Sequence, residues 1–235
     1  MKANTTTVSA TDVVATPLSA SCAEVLARAE HACIGVSPFN SYFSVARIRQ
    51  IADWATRRFA RVDFFVPDRP SAYTLEALGY ALARAEWKAR RQGQYTRNKI
   101  RAAVEGVDVG ECVTRVLGWA ELQGVAAFGQ LHAEGHALYE RDDGFRAACR
   151  EVSTWVLAGR LPDGQAPEAA HIDSAVRYVL AELPLFLDTP AIVQAEASVF
   201  CYHQPPQVLR RLYERELVRH PAAGQGFAVI TMAAS

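Results

Sequence analysis

The chain has 235 residues, half of them hydrophobic, and 25 lysines and arginines balance 25 aspartates and glutamates. That length and apolar fraction suffice for one packed domain, and a net charge of zero leaves nucleic-acid binding to be argued from a local cluster alone. The five cysteines are scattered with no C-x-x-C pair, which argues against a disulfide framework or a cysteine zinc site and fits a reducing cytoplasm.

In chain order, residues 1–21 are rich in Thr, Ser and Ala with one lysine. They read as a disordered tail before a single domain over 22–235. Residues 22–30 suggest a short helix, and "HACIGV" (31–36) a fully buried strand. Helical spacing of Phe43, Val45, Ile48, Ile51, Ala52 and Ala55 predicts a helix over 42–59, and "RVDFFVPD" (61–68) a second strand stopped by proline. One long helix is expected over 74–104 and a third strand within 111–122. Helices follow at 132–139, 144–158 and 168–183, with "LPDGQAP" (161–167) as a loop. Two late strands, 197–203 and 226–232, flank a helix at 207–219. Strand and helix alternating at these lengths predict an α/β fold with a parallel sheet covered by helices. No segment approaches the roughly 20 apolar residues that span a bilayer, so a soluble cytoplasmic protein with no membrane partner is expected.

Three stretches carry chemistry. Ser37 follows the first strand directly, where ligands collect in open α/β sheets, and Gly35 leaves space on the same strand face. Neither G-x-S-x-G nor a phosphate-cradling glycine loop is present. Taken alone, Ser37 is the ordinary choice of a cap or turn. Tyr178 and Glu182 lie four residues apart, on one helix face, where a phenol and a carboxylate suit an ammonium group; a solvated face is the bland alternative. Pro184 is expected to end that helix. Tyr202 and His203 close a late apolar run, placed either to manage protons or to cap a core.

Together these residues resemble the cyclodipeptide synthase family. Its signature H-x-[LVI]-[LVI]-G-[LVI]-S corresponds to His31-Ala32-Cys33-Ile34-Gly35-Val36-Ser37, with Cys33 the single departure. Its signature Y-[LVI]-x-x-E-x-P corresponds to Tyr178 through Pro184 without departure. Asn40, Tyr202 and His203 match the markers of one family branch. The resemblance covers at least residues 31–203. It implies a Rossmann-like domain similar to the catalytic domain of class I tyrosyl- and tryptophanyl-tRNA synthetases, with no cofactor and no metal.

Such enzymes form a 2,5-diketopiperazine from two aminoacyl-tRNAs by a ping-pong route through aminoacyl- and dipeptidyl-enzyme esters, here on Ser37. The amine of the second aminoacyl-tRNA is expected to attack the Ser37 ester. Glu182 and Tyr178 would grip the α-amino group and Tyr202 would position groups or relay a proton. Asn40 and His203 would shape the site, and His31 would be structural. The base for Ser37 stays unassigned. The first aminoacyl pocket is expected at Cys33, Gly35, Leu185 and Phe200, joined by Phe65 and Trp119 if the chain aligns without gaps. Its large aromatics imply a small first residue, glycine or alanine. Val152, Trp155 and Gln204 are expected in the second pocket. The basic run Arg84, Lys88, Arg90, Arg91, Arg97, Lys99 and Arg101 faces a single acid, Glu86, and is expected to hold tRNA phosphates, with Gly93 weakening or kinking its helix. A serine esterase or acyltransferase, lacking an assembled triad, and a non-catalytic tRNA-binding module are the rival readings.

Overall fold

The computed structural model describes residues 13–161, 166–205 and 207–233. Its chain order is β1 (Val13–Pro17), α1 (Ala20–Arg28), β2 (His31–Gly35), α2 (Val45–Arg58), β3 (Arg61–Phe65), α3 (Ser71–Ala77) and α4 (Leu82–Val104). There follow β4 (Val113–Leu117), α5 (Trp119–Gln123), α6 (Ala126–Arg141), α7 (Asp143–Ala158), α8 (Ala169–Val193), β5 (Ser198–Tyr202), α9 (Gln207–Tyr213) and β6 (Gln225–Met232). The strands form one sheet in the order β1-β6-β5-β2-β3-β4, parallel throughout except for antiparallel β1.

Both faces of the sheet are covered, and the central strands are accordingly apolar on both sides. Cys33, Phe65, Phe200 and Phe227 pack beneath α6, α7 and α8. Ala32, Ile34, Val62, Phe64, Val199 and Cys201 pack against Ile48 and Ile51 of α2 and Ile100 of α4. Each fully buried Phe or Ile contributes about 1.5–3 kcal/mol relative to exposure. Polar side chains fix where helices begin: Ser19, Ser44 and Asp142 accept hydrogen bonds from the backbone N–H of Cys22, Arg47 and Phe145.

The chain builds β2, β3 and β4 outward in one direction, then returns through the helical segment to lay β5 on the other side of β2. This reversal opens a crevice at the carboxyl ends of β2 and β5, the place where doubly wound sheets bind ligands.

Several expectations need correction. The supposed tail holds β1, which pairs residue by residue with β6 from Val13↔Met232 to Pro17↔Ala228, and Ser19 caps α1. β1, Val-Val-Ala-Thr-Pro, is held in place because β6 supplies its ladder. Residues 1–12 and 162–165, the latter within the expected loop, lie outside the described residues. The helix expected over 74–104 is two helices, split where Gly79 adopts φ 84°. The third strand expected within 111–122 is β4, and α5 follows it from Trp119. The helix expected over 207–219 ends at Tyr213, with Arg215 left-handed at φ 61°. Among the described residues no helix is long and apolar enough to cross a membrane.

Candidate active site

Ser37 stands just beyond β2, where Val36 N–H still bonds Phe65 C=O as an extension of the sheet. Its Oγ lies 2.9 Å from the Tyr202 hydroxyl at the end of β5, so the contact bridges the crevice at the strand reversal. Gly35 makes this approach feasible. A Cβ there would stand 3.0 Å from Phe200 Cζ and 3.1 Å from Tyr202 Cδ2, tight against both rings. Burial raises the Tyr202 pKa, so the phenol stays protonated at neutral pH and is a donor or positioner rather than a base.

Asn40 organises the rest of the β2–α2 loop. Its Oδ1 accepts from Tyr42 N–H at 3.0 Å, which fixes the amide so that Nδ2 donates to His203 Nε2 at 2.9 Å and to Tyr202 Oη at 3.4 Å. Tyr42 stacks on the His203 ring at 4.2 Å between centroids. Burial lowers the His203 pKa to about 4, so the imidazole is neutral and carries its proton on Nδ1. His203 spends Nε2 on Asn40 and not on Ser37, leaving the Ser–His relay of a serine esterase unassembled.

Tyr178 and Glu182 project from α8 toward the same space, with Tyr178 Oη donating to Glu182 Oε1 at 2.9 Å. Both are half-buried and line the cavity. Burial pushes the Glu182 pKa up to about 8 against the lowering effect of the Tyr178 hydrogen bond, and among the described residues no cation forms an ion pair with it. A site that holds a carboxylate this way gains strongly from an incoming ammonium. Pro184 does not end the helix. α8 continues to Val193 and departs from helical geometry at Asp188 (φ −160°, ψ 66°). Leu183 to Leu187 are all buried, and that packing outweighs the one hydrogen bond a proline removes.

These groups face one cavity of about 530 Å³. Gly35, Ser37, Asn40, Tyr178, Glu182, Phe200, Tyr202, Gln204 and Trp155 all line it. Cys33, Phe65, Trp119, Leu185 and Val152, expected in the amino-acid pockets, do not line this cavity and belong to the buried core that also holds Phe186, Phe200 and Phe227. The sequence reading missed Phe186 and Phe227, which line the cavity and pack on Phe200 with centroids 4.9 and 5.9 Å away. Phe186 lies two residues beyond Pro184, a position that a helix stopped at the proline would remove from the site. Phe39 (φ 60°) and Arg160 also line the cavity, and nothing in the sequence singled them out.

The basic run lies on α4, with Arg84, Arg90, Arg91 and Arg101 exposed and Lys88 and Lys99 partly so. Lys88 bonds Tyr80 Oη and Lys99 bonds Phe43 C=O. Arg97 is a correction. Only 11% of its side chain is exposed, and it pairs with Glu121 at 2.6 Å and Asp68 at 3.4 Å, so it ties α4 to α5 and to the loop after β3. Gly93 does not break α4 either; a Cβ there would meet Asp68 Cβ at 2.3 Å, so glycine is needed for close packing.

With this geometry in place, the likeness to known proteins is informative. The family model described as cyclodipeptide synthase matches residues 13–232. A cyclo(L-tyrosyl-L-tyrosyl) synthase of Mycobacterium tuberculosis is 34% identical over 215 residues, covering 92% of this chain and 74% of its own. A solved cyclodipeptide synthetase structure from the same organism, described as related to type I tRNA synthetases, gives a TM-score of 0.85 at 33% identity over 94% of each chain. Tyrosyl-tRNA synthetase of Archaeoglobus fulgidus gives a TM-score of 0.52 at 10% identity, covering 91% of this chain and 59% of that one, a likeness of fold alone. The chain is an enzyme of the cyclodipeptide synthase family.

Proposed function

We propose that the enzyme takes two aminoacyl groups from tRNA and closes them into a 2,5-diketopiperazine through esters on Ser37. The observation that carries this reading is the placing of the Ser37 hydroxyl, held by Tyr202, in the same cavity as the Tyr178–Glu182 pair. Ser37 Oγ attacks the ester carbonyl of the first aminoacyl-tRNA. A C–O bond to Ser37 forms, the C–O bond to the ribose breaks, and the leaving ribose oxygen takes the serine proton. The substrate ester is already activated, so the step needs no nucleotide. Among the described residues no carboxylate or free imidazole contacts Ser37, which favours the ribose itself as proton acceptor.

Glu182 and Tyr178 then hold the α-amino group of the bound residue. An ammonium beside Glu182 stabilises its carboxylate, and the raised pKa fits that carboxylate to remove the ammonium proton and free the amine. The amine of the Ser37-bound residue attacks the second aminoacyl-tRNA. This direction replaces the one expected from the sequence: attack by the second amine on the Ser37 ester would release the serine and leave the dipeptide on tRNA. In the direction proposed, the C–N bond forms, the second ribose leaves, and the dipeptide stays on Ser37. Its terminal amine finally attacks the Ser37 ester, closing the ring and returning the serine hydroxyl with Tyr202 orienting the oxygen.

The same reading extends to the first amino acid. Phe200 lies directly against Gly35, flanked by Phe186 and Phe227, and this aromatic floor favours glycine or alanine at Ser37. Use of charged tRNA, together with the free cysteines of the described residues, supports a cytoplasmic reaction.

The test is intact-protein mass spectrometry with tRNA charged with one amino acid at a time, alongside Ser37→Ala. Wild type is expected to gain an aminoacyl mass, largest with glycine or alanine, and to release a cyclic dipeptide; Ser37→Ala gains none and makes none. A cyclic dipeptide from Ser37→Ala would refute the covalent route, and an adduct selective for leucine, phenylalanine or tyrosine would refute the small first residue.

A further inference from the structure

Large aromatic side chains exposed side by side on one surface mark a site of interaction, whereas single ones need no explanation. Among the described residues four remain more than one-third exposed: Phe39, Trp87, Tyr95 and Trp155. Two of them, Phe39 and Trp155, line the cavity. The other two, at 52% and 55% exposure, stand on α4 among its cations.

Trp87, Arg91 and Tyr95 follow at four-residue steps, so they climb one ridge of α4 at about 6 Å per step. The buried residues Ala85, Ala89, Gly93, Thr96, Ile100 and Ala103 occupy the opposite side. The Arg91 guanidinium lies 5.3 Å from the Trp87 ring centroid and the Lys99 ammonium 4.7 Å from that of Tyr95. Each ring thus has a cation beside it, and α4 carries Glu86 as its one acid. Phosphate binding alone needs the cations and not the rings. Rings interleaved with cations are the pattern that stacks unpaired bases while holding the backbone between them. An acidic peptide would use the cations and leave two large rings uncovered.

We propose that the Trp87–Arg91–Tyr95 ridge is a base-stacking platform, outside the cavity, for unpaired nucleotides of the tRNA substrate. The proposal rests on the reading of aminoacyl-tRNA as substrate. Trp87 and Tyr95 each take a base on the open ring face, and Arg91 holds the intervening phosphate.

The experiment measures binding of uncharged tRNA to the full chain over a range of salt concentrations, which separates binding from the chemistry at Ser37. Trp87→Ala and Tyr95→Ala are each expected to weaken binding roughly tenfold at every salt concentration, with the slope of log K against log salt unchanged. Trp87→Phe should retain most of the affinity, and Arg91→Ala should lower the slope by about one. A blunt RNA duplex, which has no unpaired base, should bind wild type and Trp87→Ala alike. Unchanged tRNA affinity in both alanine variants, a slope that falls as in Arg91→Ala, or an equal loss for the duplex would overturn the platform while leaving the substrate reading intact. Wild type that binds no tRNA would overturn both.

Discussion

His31 and Ser198 stand where β2 and β5 begin; Ser37 and Tyr202 stand where the same two strands end. Each pair anchors a polar cluster, and the two clusters are built on opposite principles. At the start of the strands, His31 Nδ1 meets Ser198 Oγ at 2.7 Å and Nε2 meets Asp63 at 3.1 Å, while Arg115 grips both oxygens of Asp63 at 2.8 and 2.6 Å. Burial pushes the Asp63 pKa up, but the bonds from His31 and Arg115 prevail and hold it below the usual range, and burial keeps His31 neutral. Nε2–H therefore donates to Asp63, and Nδ1 accepts from Ser198. Every polar group is matched, and the network crosses β5, β2, β3 and β4. At the other end Glu182 has the Tyr178 phenol and, among the described residues, no ion-pair partner. The closed cluster holds the sheet together; the open one leaves an electrostatic need that a substrate can meet.

The sharpest way to break the contrast is Asp63→Ala. It leaves His31 Nε2 unmatched and frees Arg115 to turn to water, and it should cost about 3 kcal/mol, or about 6–12 °C in Tm, as measured by thermal and urea unfolding. Ser198→Ala should follow the same direction more weakly.

Glu182→Gln should do the reverse to stability. Folding raises this carboxyl from its ordinary 4.5 to about 8, so between those values the folded state binds more protons than the unfolded chain. Wild-type stability therefore falls as pH rises through that window. Glutamine carries no such penalty, so the Tm of Glu182→Gln minus that of wild type should widen from pH 5 to pH 9, by about 2–4 °C for each kcal/mol relieved. Cyclic-dipeptide formation should drop on the order of 10²–10⁴-fold. A constant Tm gap would mean the carboxylate ionises without cost and the site is not open in this sense.

The smallest expected effect is at the loop that joins the open cluster to the sheet. Asn40→Ala removes a donor from both His203 and Tyr202 and should cost about 1 kcal/mol of stability. A fall in kcat of roughly tenfold should accompany it, since Tyr202 loses its second tether. A lost KM with unchanged kcat would instead assign Asn40 to substrate binding.

The open cluster was largely legible in the sequence because its members fall in two short signatures and beside one strand end. Tyr178 and Glu182 needed only helical spacing, and Ser37 needed only the end of β2. The closed cluster was not legible beyond His31, since Asp63, Arg115 and Ser198 meet it through sheet register, which no local pattern encodes. Arg97 shows the same limit. It shares the composition of its basic neighbours, and the fold of a distant loop brings Asp68 and Glu121 to it. Pro184 misled in the other direction: a local rule about helix ends gave way to the burial of Leu183 to Leu187 around it. The pockets were half legible, because a side chain such as Phe65 or Leu185 can sit behind a cavity wall or in it at equal distance along the sequence.

The antiparallel course of β1 has a practical consequence. Tyr202 is level with Val229 on β6, and Met232 lies three residues further on, paired with Val13. Val13 and Met232, at one end of the β1–β6 pairing, therefore lie about 10 Å beyond the level of Tyr202, on the side of the sheet where Ser37 lies. A fluorophore or crosslinker placed at Val13 or Met232 would sit at the edge where the proposed tRNA substrates would dock, so attachment points for handling this enzyme belong at the opposite edge, near the turns that precede His31 and Ser198.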